Sequence, residues 1–247
     1  MTFLPLQGII EWVNGALPLS AIIGTQLLHT NSFLFHSDFC TDGKLSGVAS
    51  SGMLLNNPIQ AYLKLHNYDE RSPFGIHKRA MEKYICSCAG FCVISYLLDI
   101  GDRHLDNILL QTSGELFHVD FSFVFGRDPK PFKSKIRFTQ EMAAAMGGIN
   151  SPLYDQFLNI CAKAYNALRR SAGMLLGMLR LMTESFVTDF TLKQRPVEVM
   201  NNTIELFQMQ LNDEEAGKHI KQVINESLQA VMPVVLERMH RLANAFR

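Results

Sequence analysis

The chain has no excess charge of either sign. Its 247 residues include 23 Lys and Arg and 23 Asp and Glu, so the formal net charge at pH 7 is zero. A neutral protein has no overall attraction for nucleic acid or anionic lipid, and any basic contact must be local. We therefore predict no nucleic-acid partner.

The sequence also lacks an apolar run long enough to cross a membrane. The longest run, ICSCAGFCVISYLL from Ile85 to Leu98, lies between Lys83 and Asp99. It is shorter than the roughly 18 residues that a membrane-spanning helix requires. We predict that this segment is a helix buried inside the protein.

The five cysteines form no metal-binding pattern. Cys86, Cys88 and Cys92 would lie on different faces of the predicted buried helix, and no further Cys or His cluster is nearby. Zinc sites require such a cluster at a characteristic spacing. We predict buried free thiols in a reducing cytosol.

The spacing of apolar residues predicts a protein that is mainly helical. Apolar positions recur every three to four residues in several segments. These segments begin at Pro58, Gly75, Pro152, Pro196 and Asp213. The last is predicted to be an amphipathic helix over 213–247, with Asn212 as its N-cap and a kink or division at Pro233.

Strands are predicted in two places. GIIEWV, from Gly8 to Val13, is a short run of β-forming residues, and a hairpin runs from Ile108 to Val119 with its turn at Thr112-Ser113-Gly114. The segment from about Leu17 to Asn57 is rich in Ser, Asn, Gly and Asp, which predicts an irregular or inserted stretch. The predicted fold class is α+β, mainly α-helical, in a single domain over 1–247.

A set of polar residues surrounds the predicted hairpin. In GDRHLDNILLQTSGELFHVDFS, Asp102 comes five positions before Asn107, and Asp120 follows the second strand. Phosphoryl transfer from ATP requires an acid that orients the attacking hydroxyl, oxygen ligands for Mg²⁺, and cations near the phosphate. Protein-kinase catalytic segments have the same spacing, with His-Arg-Asp in place of Asp-Arg-His. Taken singly, each of these residues is more often a cap or a surface group.

The order Asp-Arg-His is itself informative. GDRHLDNILL, HVDF and GRDPKP together resemble the catalytic and activation loops of phosphatidylinositol 3-kinases, in particular the class III type, which phosphorylates unmodified phosphatidylinositol. GIIEWV, the long helix leading into GDRH, EMAAAMGG, LNDEEA and RMHRLANAFR are also similar to that family. The resemblance implies the C-terminal lobe of the protein-kinase-like PI3/PI4-kinase fold. The catalytic loop would be 101–107 and the activation loop 120–148.

The resemblance also implies roles for individual residues. Asp102 and His104 would act at the inositol 3-hydroxyl, one as the base and the other stabilising charge, in an order that the sequence leaves open. Arg103 would brace the loop. Asn107 and Asp120 would hold Mg²⁺ or Mn²⁺ beside ATP through side-chain oxygen.

Two basic regions are candidates for lipid contact. The first is a cationic patch opposed only by Asp128, and it suits an anionic lipid headgroup, although a charge run alone is more often a solvated face. Its members are Arg127, Lys130, Lys133, Lys135 and Arg137. The second is the C-terminal helix, which either docks on its own core or contacts the membrane. Its candidate contacts are Arg238, Arg241, Leu242 and Phe246.

Two features depart from the family pattern. The chain has no G-x-G-x-x-G loop, no Walker loop and no V-A-I-K-like strand before the catalytic loop, so we expect it to be the C-terminal lobe without its ATP-binding small lobe. Ser122 replaces the glycine of Asp-Phe-Gly. Serine there costs about 1 kcal/mol or more if its φ is positive.

Two functional hypotheses follow. In the first, the protein is a lipid kinase that makes phosphatidylinositol 3-phosphate in endosomal trafficking and autophagy. It would be cytoplasmic, peripheral on endosomal or other intracellular membranes, and joined by regulatory subunits. In the second, it is a catalytically inactive scaffold derived from a kinase, or a truncated fragment. The range of phosphoinositide substrates stays open, because DPKP resembles the class III loop whereas KSK resembles the class I loop.

Overall fold

The computed structural model describes residues 11–24, 57–129, 134–184 and 196–229. Besides a helical segment at residues 19–24 and a 3₁₀ helix at Pro73–Gly75, the helices in these ranges are α1 (Pro58–His66), α2 (Lys78–Leu97), α3 (Gln140–Ala145), α4 (Pro152–Arg170), α5 (Ala172–Glu184), α6 (Pro196–Leu206) and α7 (Asp213–Gln229). The strands are β1 (Ala16–Pro18), β2 (Ile108–Gln111) and β3 (Leu116–His118), and they form one antiparallel sheet in the order β1-β2-β3. The predicted α+β fold, mainly α-helical, is confirmed.

Helix starts follow from polar caps in the sequence. The side-chain oxygen of Asn57 accepts hydrogen bonds from the first free amides of α1, where Pro58 occupies the first turn. At α7 the side chain of Asn212 accepts from two amides, while the carboxylate of Glu215 accepts from the amide of Asn212. This reciprocal arrangement is a capping box, and it confirms Asn212 as the N-cap.

Helix α2 forms the centre of the core. It packs against α4, and α4 packs in turn against α7. Tyr84, Cys88 and Cys92 of α2 are fully buried, as the apolar run predicted. Across α4, the rings of Phe138 and Phe157 stack with their centroids 4.7 Å apart. Burying each such side chain contributes about 1.5–3 kcal/mol to the stability of the fold. The sheet packs against this helical layer.

The hairpin of β2 and β3 docks directly on α2. A Cβ on Gly114 would lie 2.4 Å from the carbonyl oxygen of Ala80, and its φ is +106°, so the turn requires glycine. The amide of Leu116 donates to the hydroxyl of Ser87 at 2.9 Å. These contacts fix the closed end of the hairpin on the helix and leave its open end beside the polar residues.

The prediction of a strand at Gly8–Val13 is wrong for its described part. Residues 11–13 are not in a strand, and residues 8–10 lie outside the described ranges. The strand comes later, at β1, where Leu17 pairs with Leu110 of β2. The turn at Gly15, with φ +69°, precedes it, and the carbonyl of Gly15 accepts a bond from the amide of Thr112. Pairing with the open edge of β2 therefore decides where the strand lies.

The prediction of an irregular stretch over 17–57 is wrong for its first residues. Leu17 and Pro18 belong to β1, and residues 19–24 are helical. Leu19, Ile22 and Ile23 are buried at helical spacing, so they dock this short segment onto the core. Residues 25–56 lie outside the described ranges.

Two smaller predictions are wrong, and a third is not tested. The segment from Pro152 to Met182 is two helices, because α4 ends at a cap formed by Ser171. Cys86 is exposed on α2, whereas burial was predicted for it; Cys88 and Cys92 are buried free thiols. The predicted kink at Pro233 lies outside the described residues, as does the last part of the 213–247 helix.

Candidate active site

The predicted catalytic loop (101–107) lies shortly after α2, and backbone hydrogen bonds join it and the residues before it to the start of the predicted activation loop (120–148). The amide of Gly101 donates to the carbonyl of Phe123 at 2.7 Å. Two further bonds run from the amides of Phe125 and Gly126 to the carbonyls of Leu98 and Asp99, at 2.8 and 3.1 Å. The two loops therefore form one main-chain frame around the polar side chains.

Strained backbone is concentrated in this frame. Among the described residues, four of the six non-glycine residues with positive φ are Asp99, Asp102, Asp120 and Phe125. The left-handed conformation costs an ordinary residue roughly 1–2 kcal/mol. Such strain is retained where the surrounding structure over-determines it, and functional sites are its usual location.

The imidazole of His104 lies between two carboxylates. Its Nε2 atom is 3.7 Å from Oδ2 of Asp102, and its Nδ1 atom is 3.5 Å from Oδ2 of Asp106. The hydroxyl of Ser20 donates to the other oxygen of Asp106 through a short hydrogen bond. The sequence analysis named Asp102 and His104 but missed Asp106 and Ser20. Asp106 lies in the same segment and could have been included, whereas Ser20 carried no local signal.

Asn107 lies beside the residue that precedes Asp120, at the open end of the hairpin. The side-chain amide nitrogen of Asn107 donates to the carbonyl of Asp102 at 3.2 Å. Its backbone carbonyl accepts from the amide of Val119 at 2.9 Å, which places Asn107 next to the residue before Asp120. The two predicted metal-binding residues are thus brought together with the catalytic loop.

The carboxylate of Asp120 is held by Ser122. Its Oδ1 atom accepts from the amide of Ser122 at 3.0 Å and from its hydroxyl at 2.6 Å. These two hydrogen bonds stabilise the charged form and lower the pKa of Asp120. In the described ranges Ser122 is not among the residues with positive φ. The backbone cost that depended on a positive φ therefore does not arise.

The predicted metal-binding residues carry oxygen atoms of the kind that magnesium prefers. In the part of the chain that the structure describes, no group of three or more His, Cys, Asp or Glu could hold a metal ion by itself. Mg²⁺ is usually bound by one or two carboxylates, with substrate phosphates and waters as its other ligands. The amide oxygen of Asn107 and the second carboxylate oxygen of Asp120 supply hard oxygen of that kind.

Arg103 joins the catalytic loop to the later part of the activation loop. Its side chain is buried, and its two terminal nitrogens donate to the carbonyls of Lys135 and Ser134 at 3.0 and 2.5 Å. Burial lowers the pKa of Arg103 to about 10, against the opposing effect of Asp99 and Asp128. The guanidinium therefore stays charged at neutral pH and holds two main-chain carbonyls in place.

His118, which the sequence analysis did not single out, forms an aromatic wall beside Asp120. Its ring stacks on Phe91 with centroids 6.1 Å apart and meets Phe121 edge-on at 5.3 Å. Burial, with the nearby charge of Arg103, lowers the pKa of His118 to about 4. The ring is therefore neutral at physiological pH. The sequence feature that could have identified His118 is its position at the end of β3, two residues before Asp120.

The cationic patch is divided in the structure. The guanidinium of Arg127 lies 5.8 Å from the ring centroid of Phe123, close to the catalytic loop. Lys135 is exposed and faces α7, where burial and the charge of Lys135 lower the pKa of His219. Arg137 is half-buried near Arg103. The remaining predicted contacts, Lys130, Lys133, Arg238, Arg241, Leu242 and Phe246, lie outside the described residues.

The hairpin of this mainly helical protein is flanked by Asp102, Asn107 and Asp120, residue types that phosphoryl transfer requires. Across the described ranges, no helix combines the length and hydropathy needed to span a bilayer. Residues 4–192 match the family described as "Phosphatidylinositol 3- and 4-kinase". The chain belongs to this family, and the predicted resemblance to class III phosphatidylinositol 3-kinases is confirmed.

Three curated relatives illustrate the similarity. The chain is 40% identical over 192 residues to "Phosphatidylinositol 3-kinase pik3" of Schizosaccharomyces pombe. The matched region covers 76% of the chain and 24% of the relative. It is 42% and 39% identical, each over 189 residues and 76% of the chain, to "Phosphatidylinositol 3-kinase VPS34" of Arabidopsis thaliana and of Saccharomyces cerevisiae. The matches cover 23% and 21% of those two proteins. The chain therefore spans about a quarter of the length of these relatives.

Proposed function

We propose that this chain is the C-terminal lobe of a lipid kinase that transfers the γ-phosphate of ATP to the 3-hydroxyl of phosphatidylinositol, giving phosphatidylinositol 3-phosphate. The observation that carries the proposal is that Asp102 contacts both His104 and Asn107, and that Asn107 pairs with the residue preceding Asp120 at the open end of the hairpin. The relatives named phosphatidylinositol 3-kinase support the choice of substrate.

The Asp102–His104 pair is suited to accept the proton of the attacking hydroxyl. The carboxylate of Asp106 beside Nδ1 of His104 favours a proton on that nitrogen, which leaves Nε2 as the basic atom on the side of Asp102. The proton released by the 3-hydroxyl then passes to this pair. Asp106 acts through His104, as a positioning residue.

Asn107 and Asp120 would hold the magnesium or manganese ion. When bound, such an ion neutralises charge on the ATP phosphates. Arg103 keeps the activation loop against the catalytic loop through its two carbonyl contacts. His118 and Phe121 close one side of the site with apolar surface.

The lipid and the cellular setting extend the same proposal. Near the catalytic loop, Arg127 supplies positive charge for an anionic headgroup, with the other members of the cationic patch and the C-terminal helix as further membrane contacts. The protein would act at the cytosolic face of endosomal or other intracellular membranes, together with regulatory protein subunits. Roles in endosomal trafficking and autophagy belong to the same proposal and rest on the resemblance to class III phosphatidylinositol 3-kinases.

A lipid kinase assay tests the proposal. Tagged protein isolated from its native source is incubated with MgATP and vesicles containing phosphatidylinositol, and the product is identified by its phosphate position. Asp102→Asn and Asp120→Asn are each expected to lower turnover at least roughly 100-fold. Asp155→Asn, an exposed acid on α4, is the matched control and keeps full turnover.

The assay separates the two functional hypotheses. Phosphatidylinositol 3-phosphate made by the native protein and lost in both site variants supports the kinase. Full turnover in Asp102→Asn removes that residue from the mechanism. Vesicle binding without any phosphorylated product favours the scaffold.

A further inference from the structure

Ser122 makes a contact that glycine at the same position cannot make. Its hydroxyl donates to Oδ1 of Asp120 at 2.6 Å, in addition to the 3.0 Å bond from its backbone amide. The backbone of Asp120 is in the left-handed conformation, with φ +67°. A residue in that strained conformation depends on its neighbours to keep its side chain in one orientation.

Oδ1 of Asp120 accepts both hydrogen bonds. These bonds therefore determine the direction in which the other carboxylate oxygen, Oδ2, points. Hydrogen bonds to an ionised carboxylate are short and strong compared with neutral ones. Two of them on Oδ1 fix the rotation of the carboxylate and leave Oδ2 as the oxygen that can face a cation. With glycine in place of Ser122, the amide bond alone would remain, and the carboxylate would rotate more freely.

We propose that Ser122 is a positioning residue that aims Oδ2 of Asp120 at the metal ion. The inference rests on the proposed function, because it takes Asp120 to be a metal ligand. A ligand held in the binding geometry before the cation arrives loses less freedom on binding, so the hydroxyl of Ser122 raises metal affinity. Glycine at position 122 would add backbone freedom, whereas Ser122 supplies a hydroxyl that holds the carboxylate of Asp120.

Manganese binding is the direct test, with Mn²⁺ alone as the probe and no nucleotide. The amount of free Mn²⁺ is followed by electron paramagnetic resonance during a titration of the intact protein. Asp120→Asn defines the part of the binding that depends on the carboxylate. Ser122→Ala is expected to weaken that part about tenfold, the effect of losing one hydrogen bond to a charged group. Ser122→Thr keeps the hydroxyl and is expected to bind within about twofold of the unsubstituted protein.

A second serine in the hairpin turn gives a matched control. The hydroxyl of Ser113 also donates to a nearby carboxylate, that of Glu115, at the closed end of the hairpin. Ser113→Ala removes a contact of the same kind away from the site and leaves manganese binding unchanged. Thermal unfolding of each variant checks that the fold is retained, which the exposure of Ser122 favours.

The outcomes distinguish this inference from the proposed function. Equal affinity in Ser122→Ala and the unsubstituted protein, with binding lost in Asp120→Asn, overturns the role of Ser122 and leaves the metal site standing. Tighter binding in Ser122→Ala shows that the hydroxyl competes with the cation, which also overturns the inference. Unchanged binding in Asp120→Asn removes the metal role of Asp120 and therefore contradicts the proposed function itself.

Discussion

Replacing Gly101 by alanine is expected to force the catalytic loop away from the activation loop. A Cβ at this position would lie 2.0 Å from the carbonyl oxygen of Arg127 and 3.0 Å from Cα of Asp128. Both atoms belong to the backbone, so they cannot move aside as the end of a flexible side chain would. The contact has to open to the 3.4 Å at which ordinary van der Waals contact begins.

The energetic cost has two parts. Forcing extra atoms into a packed region costs about 1–3 kcal/mol. Opening the contact also lengthens the 2.7 Å hydrogen bond from the amide of Gly101 to the carbonyl of Phe123, which is worth about 0.5–1.5 kcal/mol. We expect a loss of roughly 2–4 kcal/mol in the free energy of unfolding. Because Asp102 is the next residue, a shift of about 1 Å there would lower turnover roughly 100-fold.

Urea unfolding and the lipid kinase assay measure the two effects in parallel. Gly90→Ala is the control, because its Cβ would have no atom within 4 Å and it lies inside α2. That change is expected to stabilise the protein by about 0.5–1 kcal/mol and to leave turnover unchanged. If Gly101→Ala unfolds at the same urea concentration as the unsubstituted protein and keeps its turnover, the close packing of the two loops contributes to neither stability nor catalysis.

Three further substitutions test other contacts. Arg103→Met leaves the buried carbonyls of Ser134 and Lys135 without their donor, and is expected to cost about 2–4 kcal/mol in urea unfolding. Arg169→Met removes a buried guanidinium that makes five hydrogen bonds, four of them to the turn between α6 and α7 and its flanking residue Asp213, and is expected to cost about 3–5 kcal/mol in the same assay. His219 has a pKa lowered by burial and by Lys135, so the folded state favours its neutral form. Its contribution to stability is present above the ordinary histidine pKa of about 6.5 and declines as the pH falls below it. His219→Asn is therefore expected to lose less stability than the unsubstituted protein when thermal unfolding is compared between pH 7 and pH 5.

Each of these expectations has a contrary result. Arg103→Met with unchanged stability would show that water replaces the guanidinium at the two carbonyls. Arg169→Met with a loss below about 1 kcal/mol would mean that the turn between α6 and α7 holds without it. Parallel pH curves for His219→Asn and the unsubstituted protein would remove His219 from the acid response.

Local sequence patterns predicted the elements that are long or have a defined turn. Helix α2 has a long apolar run, and the hairpin has Gly114 where only glycine avoids the carbonyl of Ala80. The buried helical residues at 19–24 form a segment too short for periodicity to separate from irregular structure. The position of β1 was also missed, because pairing with β2 selects it and the partner is about 90 residues away.

The candidate site shows the same division. Asp102, Asn107 and Asp120 were predicted because their spacing along the chain is itself a pattern, and His104 because GDRH resembles the catalytic segment of phosphatidylinositol 3-kinases. The contact between Ser20 and Asp106 joins residues 86 positions apart, and no local rule encodes it. The sequence also identified Ser122 as unusual, but its effect depended on a backbone angle that the surrounding fold decides.

Three of the bonds that join the activation loop to the catalytic loop and to the residues just before it run between main-chain atoms, from the amides of Gly101, Phe125 and Gly126. Such bonds need no particular side chain, so most positions along the two loops can be exchanged without dismantling the support on which they lie. Gly101 is the exception, because the backbone of Arg127 and Asp128 lies too close to it to leave room for a side chain. A substitution such as serine for glycine at position 122 can therefore change the side chains of the candidate site and leave this support in place, whereas any side chain at position 101 would displace it.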